Sequence, residues 1–200
     1  FSNGQFANPM IIRIAGLGYQ RGFGGHFHND NSLAVLRDIP GIVIACPSNG
    51  TDAVHMFREC IRLARDEQRV VVFIEPIARY MTRDLLTEGD ERWAGIYPEF
   101  DPQLTMRSGT IGVRGDGTDL AIVTYGNGVF LAEQAVESLR ADDGINVRII
   151  DLRWLAPLPI DAVVAATAPC RSVLVVDECR ETGSQSEAIV ARFAERGRHD

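Results

Sequence analysis

Residues 120–195, LAIVTYGNGVFLAEQAVESLRADDGINVRIIDLRWLAPLPIDAVVAATAPCRSVLVVDECRETGSQSEAIVARFAE, decide the fold class. Short β-branched runs alternate with stretches of helical period, the pattern of an α/β chain. Leu120–Tyr125 reads as a strand. Val129–Leu139 reads as a helix with Val129, Ala132, Ala135, Val136 and Leu139 on one face. Val147–Asp151 is a second strand, Pro159–Ala168 a helix with proline at its first turn, Ser172–Asp177 a third strand and Ser184–Glu195 a last helix. Right-handed crossovers make such strands parallel.

The same alternation extends towards the N-terminus. Met10–Ile14 is an apolar run that predicts a buried strand. Ser32–Asp38 predicts a short helix stopped by Pro40-Gly41, and Ile42–Cys46 a strand closed by Pro47-Ser48. Thr51–Arg65 predicts an amphipathic helix, with Ala53, Met56, Phe57, Cys60, Ile61 and Ala64 on one face and Ser48 or Asn49 as its N-cap. Val70–Glu75 is a strand with no polar residue before the glutamate, which implies burial on both faces. From Ile77 to about Arg107 periodicity fails, and the segment reads as a linker containing short structure.

Composition narrows the function. The chain has 200 residues and a formal net charge of −7, which argues against non-specific nucleic-acid binding, since that needs a basic face. All of its basic residues are arginine, so lysine Schiff-base and Walker-lysine chemistry are excluded. No run reaches the roughly 18–20 apolar residues of a membrane span. FSNGQFANP lacks the basic and apolar regions of a secretory signal, and the absence of an initiator methionine suggests a fragment. Cys46, Cys60, Cys170 and Cys179 form no C-x-x-C pair, and Cys46 and Cys60 fall on apolar faces as small buried residues. This usage points to an intracellular, reduced protein, and the expected location is a bacterial cytoplasm.

Gly16–Asp30, GLGYQRGFGGHFHND, has the character of a site. Its glycines permit positive φ and close approach of another molecule, and it ends in His26, His28 and Asp30. Imidazole exchanges protons near neutral pH. Three uses stay open for the histidines: metal ligation with Asp30, structural hydrogen bonding, and catalysis or substrate orientation. His55, on a helix, and His199, near the terminus, read as ordinary. Gly115-Asp116-Gly117 is a turn signal before a strand rather than a Mg²⁺ motif, and Asp-Gly between apolar runs suggests a hairpin. Gly126-Asn127-Gly128, between a strand and a helix, is either a structural turn or a phosphate-binding one. Glu75, at a strand end, is either functional or paired with Arg13 or Arg79.

Taken in order, GQFANPMIIR (4–13), GGHFHNDNS (24–32), IPGIVIACPSNGTDA (39–53) and VVVFIEPIARY (70–80) resemble the β subunit of the thiamine-diphosphate-dependent decarboxylating component of 2-oxo acid dehydrogenase complexes. GTDLAIVTYGNGV (117–129), VRIIDLRWLAPLPID (147–161) and VLVVDECRETGSQSEAIVARFAE (173–195) resemble the transketolase-like C-terminal domain of the same subunit. The resemblance implies the second half of a pyrimidine-binding, parallel-sheet domain at 1–85, a linker at 86–107, and a transketolase C-terminal-type α/β domain at 108–200. It implies that His28 lies beside the reactive thiazolium carbon as the catalytic acid/base, where an imidazole suits carbanion protonation and acyl transfer. Gly24, Gly25 and His26 become candidate cofactor contacts, and His26 and Asp30 candidate substrate-orienting groups. The family's usual His-Ser-Gln-Ser is here His28-Asn29-Asp30-Asn31, preceded by a second histidine.

The family's catalytic glutamate and its stacking aromatic precede the GQF stretch, and the Mg²⁺-diphosphate half of its site lies on an α subunit. The resemblance therefore implies thiamine diphosphate and Mg²⁺ held largely by residues outside 1–200, with no metal ligands in this chain. The implied partners are an α subunit or α-like domain, a lipoylated acyltransferase core and a second copy joined through the C-terminal domain. Two other readings remain: a non-catalytic dimerisation and core-docking module, and a sugar-phosphate enzyme, since SLAVLRDIPGIVIACPS (32–48) is similar to deoxyxylulose-phosphate synthase and transketolase. The F-I-E-P strand end and the GQF opening favour the dehydrogenase branch.

Overall fold

The computed structural model describes residues 3, 5–17, 31–101 and 106–197. The protein is α/β, and the described residues form two four-stranded sheets, both dominated by parallel pairing. The first sheet is built from β1 (Met10–Gly16), β2 (Val43–Ala45) and β3 (Val70–Pro76). α1 (Leu33–Arg37) and α2 (Gly50–Glu67) lie between these strands in the chain. β3 is flanked by β1 and β2, parallel to both. Its Val71, Val72, Phe73 and Ile74 are all buried, as a continuous apolar run requires, each contributing roughly 1.5–3 kcal/mol.

β1 departs from the sequence reading. It is an edge strand, and Met10 and Ile12 are each 40% exposed, because β1 pairs with β3 alone among the described residues. The first sheet has a further strand, β7 (Trp154–Ala156), which pairs antiparallel with β2.

The second sheet has the order β4-β6-β5-β8. It contains β4 (Gly112–Arg114), β5 (Leu120–Thr124), β6 (Val147–Asp151) and β8 (Ser172–Val175). α3 (Asn127–Asp142), α4 (Ile160–Thr167) and α5 (Gln185–Glu195) complete the unit. β5 runs parallel to β6 and β8. The turn Gly115–Gly117 forms no hairpin with β5. β4 pairs antiparallel with β6 instead, because β5 already has β6 and β8 on its two edges.

The segment after β3 is held by local chemistry. Ile77–Arg79 forms a single 3-10 turn. The Asp90 carboxylate accepts backbone N–H bonds from Leu85, Leu86, Thr87 and Arg92, which hold it well below the usual carboxylate range. This turn delivers Leu85 and Trp93 to the core formed by β5, β6 and α3, where Trp93 packs edge-on against Phe130 at 5.1 Å.

A second core joins the sheets. Leu17, Ile44, Val72 and Ile74 from the first pack in one cluster with Val123, Tyr125, Ile150 and Leu152 from the second. α2 covers the far face of the first sheet with Met56, Cys60 and Leu63, against Phe73 and Trp154. Asn49 is its N-cap, accepting from the Asp52 amide at 2.9 Å. No helix among the described residues is long and apolar enough to cross a membrane.

Candidate functional site

The carboxyl ends of parallel strands are where α/β folds assemble sites, and here the ends of β1, β3, β5 and β8 converge. β1 ends at Gly16, and Leu17 follows with φ +51 and 1% exposure. The Leu17 amide donates to Asn31 Oδ1 at 3.2 Å. The chain thus leaves β1 and returns towards α1 at one point, although Leu17 and Asn31 are 14 positions apart. Gly24, Gly25, His26, His28 and Asp30 all fall between these two anchors and lie outside the described residues.

The anchors are gripped from the second sheet. Asn127 is the first residue of α3 and is 3% exposed. Its Nδ2 donates to the Leu17 carbonyl at 2.7 Å and to Glu178 Oε2 at 2.9 Å. Its Oδ1 accepts from Arg79 Nε at 3.3 Å, and the Arg79 guanidinium stacks 4.1 Å from the Phe130 ring centre. Glu178 also takes a hydrogen bond from the Asn31 side chain. Burial pushes the Glu178 carboxyl up, while these two hydrogen bonds and Arg79 act against it. Cys179 Sγ donates to the Asn31 carbonyl at 3.5 Å.

Gly126 makes this approach possible. A Cβ there would meet Leu17 Cδ1 at 2.5 Å and Cys46 Sγ at 3.2 Å, and its backbone (φ 53, ψ −122) is one that glycine adopts far more readily than any other residue. The Gly-Asn-Gly sequence is thus a structural turn with a specific task. Gly126 admits Leu17, Asn127 bonds it, and a Cβ at Gly128 would overlap Thr124 Oγ1. Next to it, the Tyr125 hydroxyl donates to Asp177 Oδ1 at 2.5 Å, and Asp177 Oδ2 accepts from the Ser186 amide at 2.9 Å.

Two further clusters adjoin. Glu75 pairs with Arg13 and accepts from the Tyr80 hydroxyl, and the Arg13 hydrogen bond holds its carboxyl below the usual range. It lines a cavity of about 890 Å³ together with Ser48, Arg79 and Tyr97. Ser48 donates to the buried Asp151 at 2.5 Å, and burial pushes the Asp151 carboxyl up to about 6. Arg153 Nε donates to Asp52 at 2.8 Å. His55 is buried on α2, and its Nδ1 has no hydrogen-bond partner among the described residues. Cys46 and Cys60 are buried. Among the described residues no group of three His, Cys, Asp or Glu could hold a metal ion.

Asn127, Glu178 and Gly126 as the grip on the 17/31 anchors were not legible from sequence beyond the Gly-Asn-Gly turn. Their partners come from widely separated segments, and no local pattern records them.

Comparison with known proteins shows which families these features resemble. The transketolase C-terminal domain model matches residues 109–200. The pyruvate dehydrogenase E1 component subunit beta of Bacillus subtilis is 29% identical over 200 residues, covering 98% of this chain and 54% of the relative. The 2-oxoisovalerate dehydrogenase subunit beta of the same organism is 29% identical over 195 residues, covering 97% of this chain and 54% of the relative. The chain thus spans about half the length of these curated relatives. A solved structure described as a split-gene transketolase, inactive beta4 tetramer, superposes with a TM-score of 0.64 at 20% identity, over 92% of this chain and 53% of that one, a likeness of fold. Residues 109–200 thus match the transketolase C-terminal domain, and the chain along nearly its whole length is similar to the β subunits of 2-oxo acid dehydrogenase E1 components.

Proposed function

We propose that the chain is part of a thiamine-diphosphate-dependent 2-oxo acid dehydrogenase that decarboxylates a 2-oxo acid and passes the acyl group to a lipoyl carrier. His28 is the acid/base group of that reaction, His26 and Asp30 orient the substrate, and Gly24 and Gly25 let the backbone approach the cofactor. The observation that carries this reading is the double anchoring of the His28-bearing segment, through Leu17 and Asn31, at the carboxyl end of β1. Thiamine diphosphate, when bound, supplies the carbanion chemistry. An imidazole of near-neutral pKa beside it holds and returns the proton.

Under the same proposal residues 1–85 are half of a pyrimidine-binding domain, 86–107 a linker and 108–200 the C-terminal domain. The Mg²⁺-diphosphate end is held largely by an α subunit or α-like domain. A lipoylated acyltransferase core and a second copy, docked through the C-terminal domain, complete the assembly in a bacterial cytoplasm. Residues 1–200 alone are inactive.

The test is made on the natural full-length protein with its α partner, thiamine diphosphate and Mg²⁺. Oxidation of pyruvate and of branched-chain 2-oxo acids is followed with an artificial electron acceptor, and acylation of a lipoyl domain by mass. His28→Asn should lower kcat about 10²-fold or more, in the range of lost general acid–base catalysis. Undiminished turnover by the variant sinks the assignment of His28, and turnover of sugar phosphates in place of 2-oxo acids sinks the reaction class.

A further inference from the structure

We infer that Asn127 and Glu178, on the second sheet's side of the junction, are positioning residues that set the geometry of the acid/base segment without touching the reacting atoms. The inference rests on the proposed role of His28 and extends it to residues that the resemblance assigns no part. Leu17 and Asn31, the two ends from which that segment departs, are joined by a direct hydrogen bond of 3.2 Å. That bond alone is a weak restraint. Asn127 Nδ2 and Glu178 close the ring around it. Nδ2 bonds the Leu17 carbonyl and Glu178, and Glu178 in turn takes the Asn31 side chain.

The ring therefore runs Leu17, Asn127, Glu178, Asn31 and back to Leu17, closed by hydrogen bonds at every step. Arg79, at Asn127 Oδ1, orients the amide so that its donor edge, rather than its acceptor, faces Leu17. Asn127 is nearly fully buried, so a donor lost there is not replaced by water at no cost. Leu17 follows β1 directly and Asn127 opens α3, which gives the ring a rigid base.

The perturbation that isolates this role is Asn127→Asp. The side chain keeps its size, but the donor edge becomes an acceptor that opposes the Leu17 carbonyl and Glu178. Glu178→Ala removes the second arm, and Glu178→Gln keeps an acceptor at the same place. The variants are made in the natural full-length protein, assembled with its partner and cofactor. Displacing a reacting group by about an ångström costs on the order of 100-fold in rate. Asn127→Asp and Glu178→Ala should therefore lower kcat about 10- to 100-fold with KM within about twofold, and should speed hydrogen exchange at the Leu17 amide. Glu178→Gln should restore both readouts to near the parent's.

Unchanged exchange at Leu17, faster exchange with unchanged kcat, or a Glu178→Gln variant as impaired as Glu178→Ala would each overturn the inference. His28→Asn is measured alongside. If that variant stays active, the proposed role of His28 fails, and the positioning role fails with it only where exchange at Leu17 is also unmoved by Asn127→Asp.

Discussion

Replacing Gly126 by alanine tests a close approach between the two sheets. The added Cβ would sit 2.5 Å from Leu17 Cδ1 and 3.2 Å from Cys46 Sγ. Both neighbours are buried, so neither can swing into solvent. Overpacking of this kind costs about 1–3 kcal/mol. The backbone at φ 53, ψ −122 adds about 1–3 kcal/mol for a residue carrying a Cβ. A combined loss of about 2–6 kcal/mol is a large part of the ~5–15 kcal/mol that holds a typical domain together. Gly144→Ala provides the control. Gly144 also has positive φ, +69, but nothing lies within 4 Å of its Cβ position, so only the backbone term of about 1–2 kcal/mol applies. Urea unfolding of the two variants beside the parent reads the difference. With a slope of about 2–3 kcal/mol per molar, Gly126→Ala should lose roughly 1–3 M in midpoint and Gly144→Ala at most about 1 M. A Gly126→Ala variant no less stable than Gly144→Ala refutes the view that Leu17 needs a glycine at its side.

Two further expectations concern buried titratable groups. The Asp151 carboxyl is raised from 3.8 to about 6, chiefly by burial, so the folded state holds its proton more tightly than the unfolded chain does. Its support for folding is full below pH about 4 and is withdrawn as the pH rises through about 6. Parent stability should therefore fall relative to Asp151→Asn across that window, read as the difference in urea midpoints, and parallel pH profiles for the two proteins would contradict the account. For the thiols, burial pushes Cys60 up to about 12 and Cys46 well above its usual value, while Cys179 is only half-buried. Alkylation of the native protein, mapped by peptide mass, should reach Cys179 first and leave Cys46 and Cys60 until unfolding. Equal labelling of Cys46 and Cys179 would overturn this.

The long periodic elements were legible in the sequence because their burial is one-sided and repeated. The run Val147–Asp151 is the strand it reads as, and the helix read at Thr51–Arg65 extends only to Gly50–Glu67. What escaped was short or non-local. β4 and β7 span three residues each, too few for a period to register, and their partners lie far along the chain. The apolar run Met10–Ile14 reads as a buried strand, but its neighbours in the sheet decide that, and β1 lies at an edge. Glu75 finds Arg13 rather than Arg79, because Arg13 lies on the adjacent strand while Arg79 turns towards Asn127. The residue types of the candidate site, His26, His28 and Asp30, stand out in sequence. The grip on the ends of their segment does not, since Asn127 and Glu178 acquire meaning only once two sheets have met.

The pairing of β7 with β2 bears on the order in which this protein can be made. Ile44 is matched with Ala156 and Ala45 with Trp154, and Trp154 lies in the core beneath α2. As the chain emerges during synthesis, β1, β2 and β3 appear early, but their sheet stays unfinished on the β2 side until residue 156 has followed. Through that interval Ala45 and Met56 lack the indole that later covers them, and an open strand edge is available for wrong pairing. The sheet whose strands are mostly made first is thus completed only after most of the second has been synthesised, and the two mature as one cooperative unit rather than in sequence.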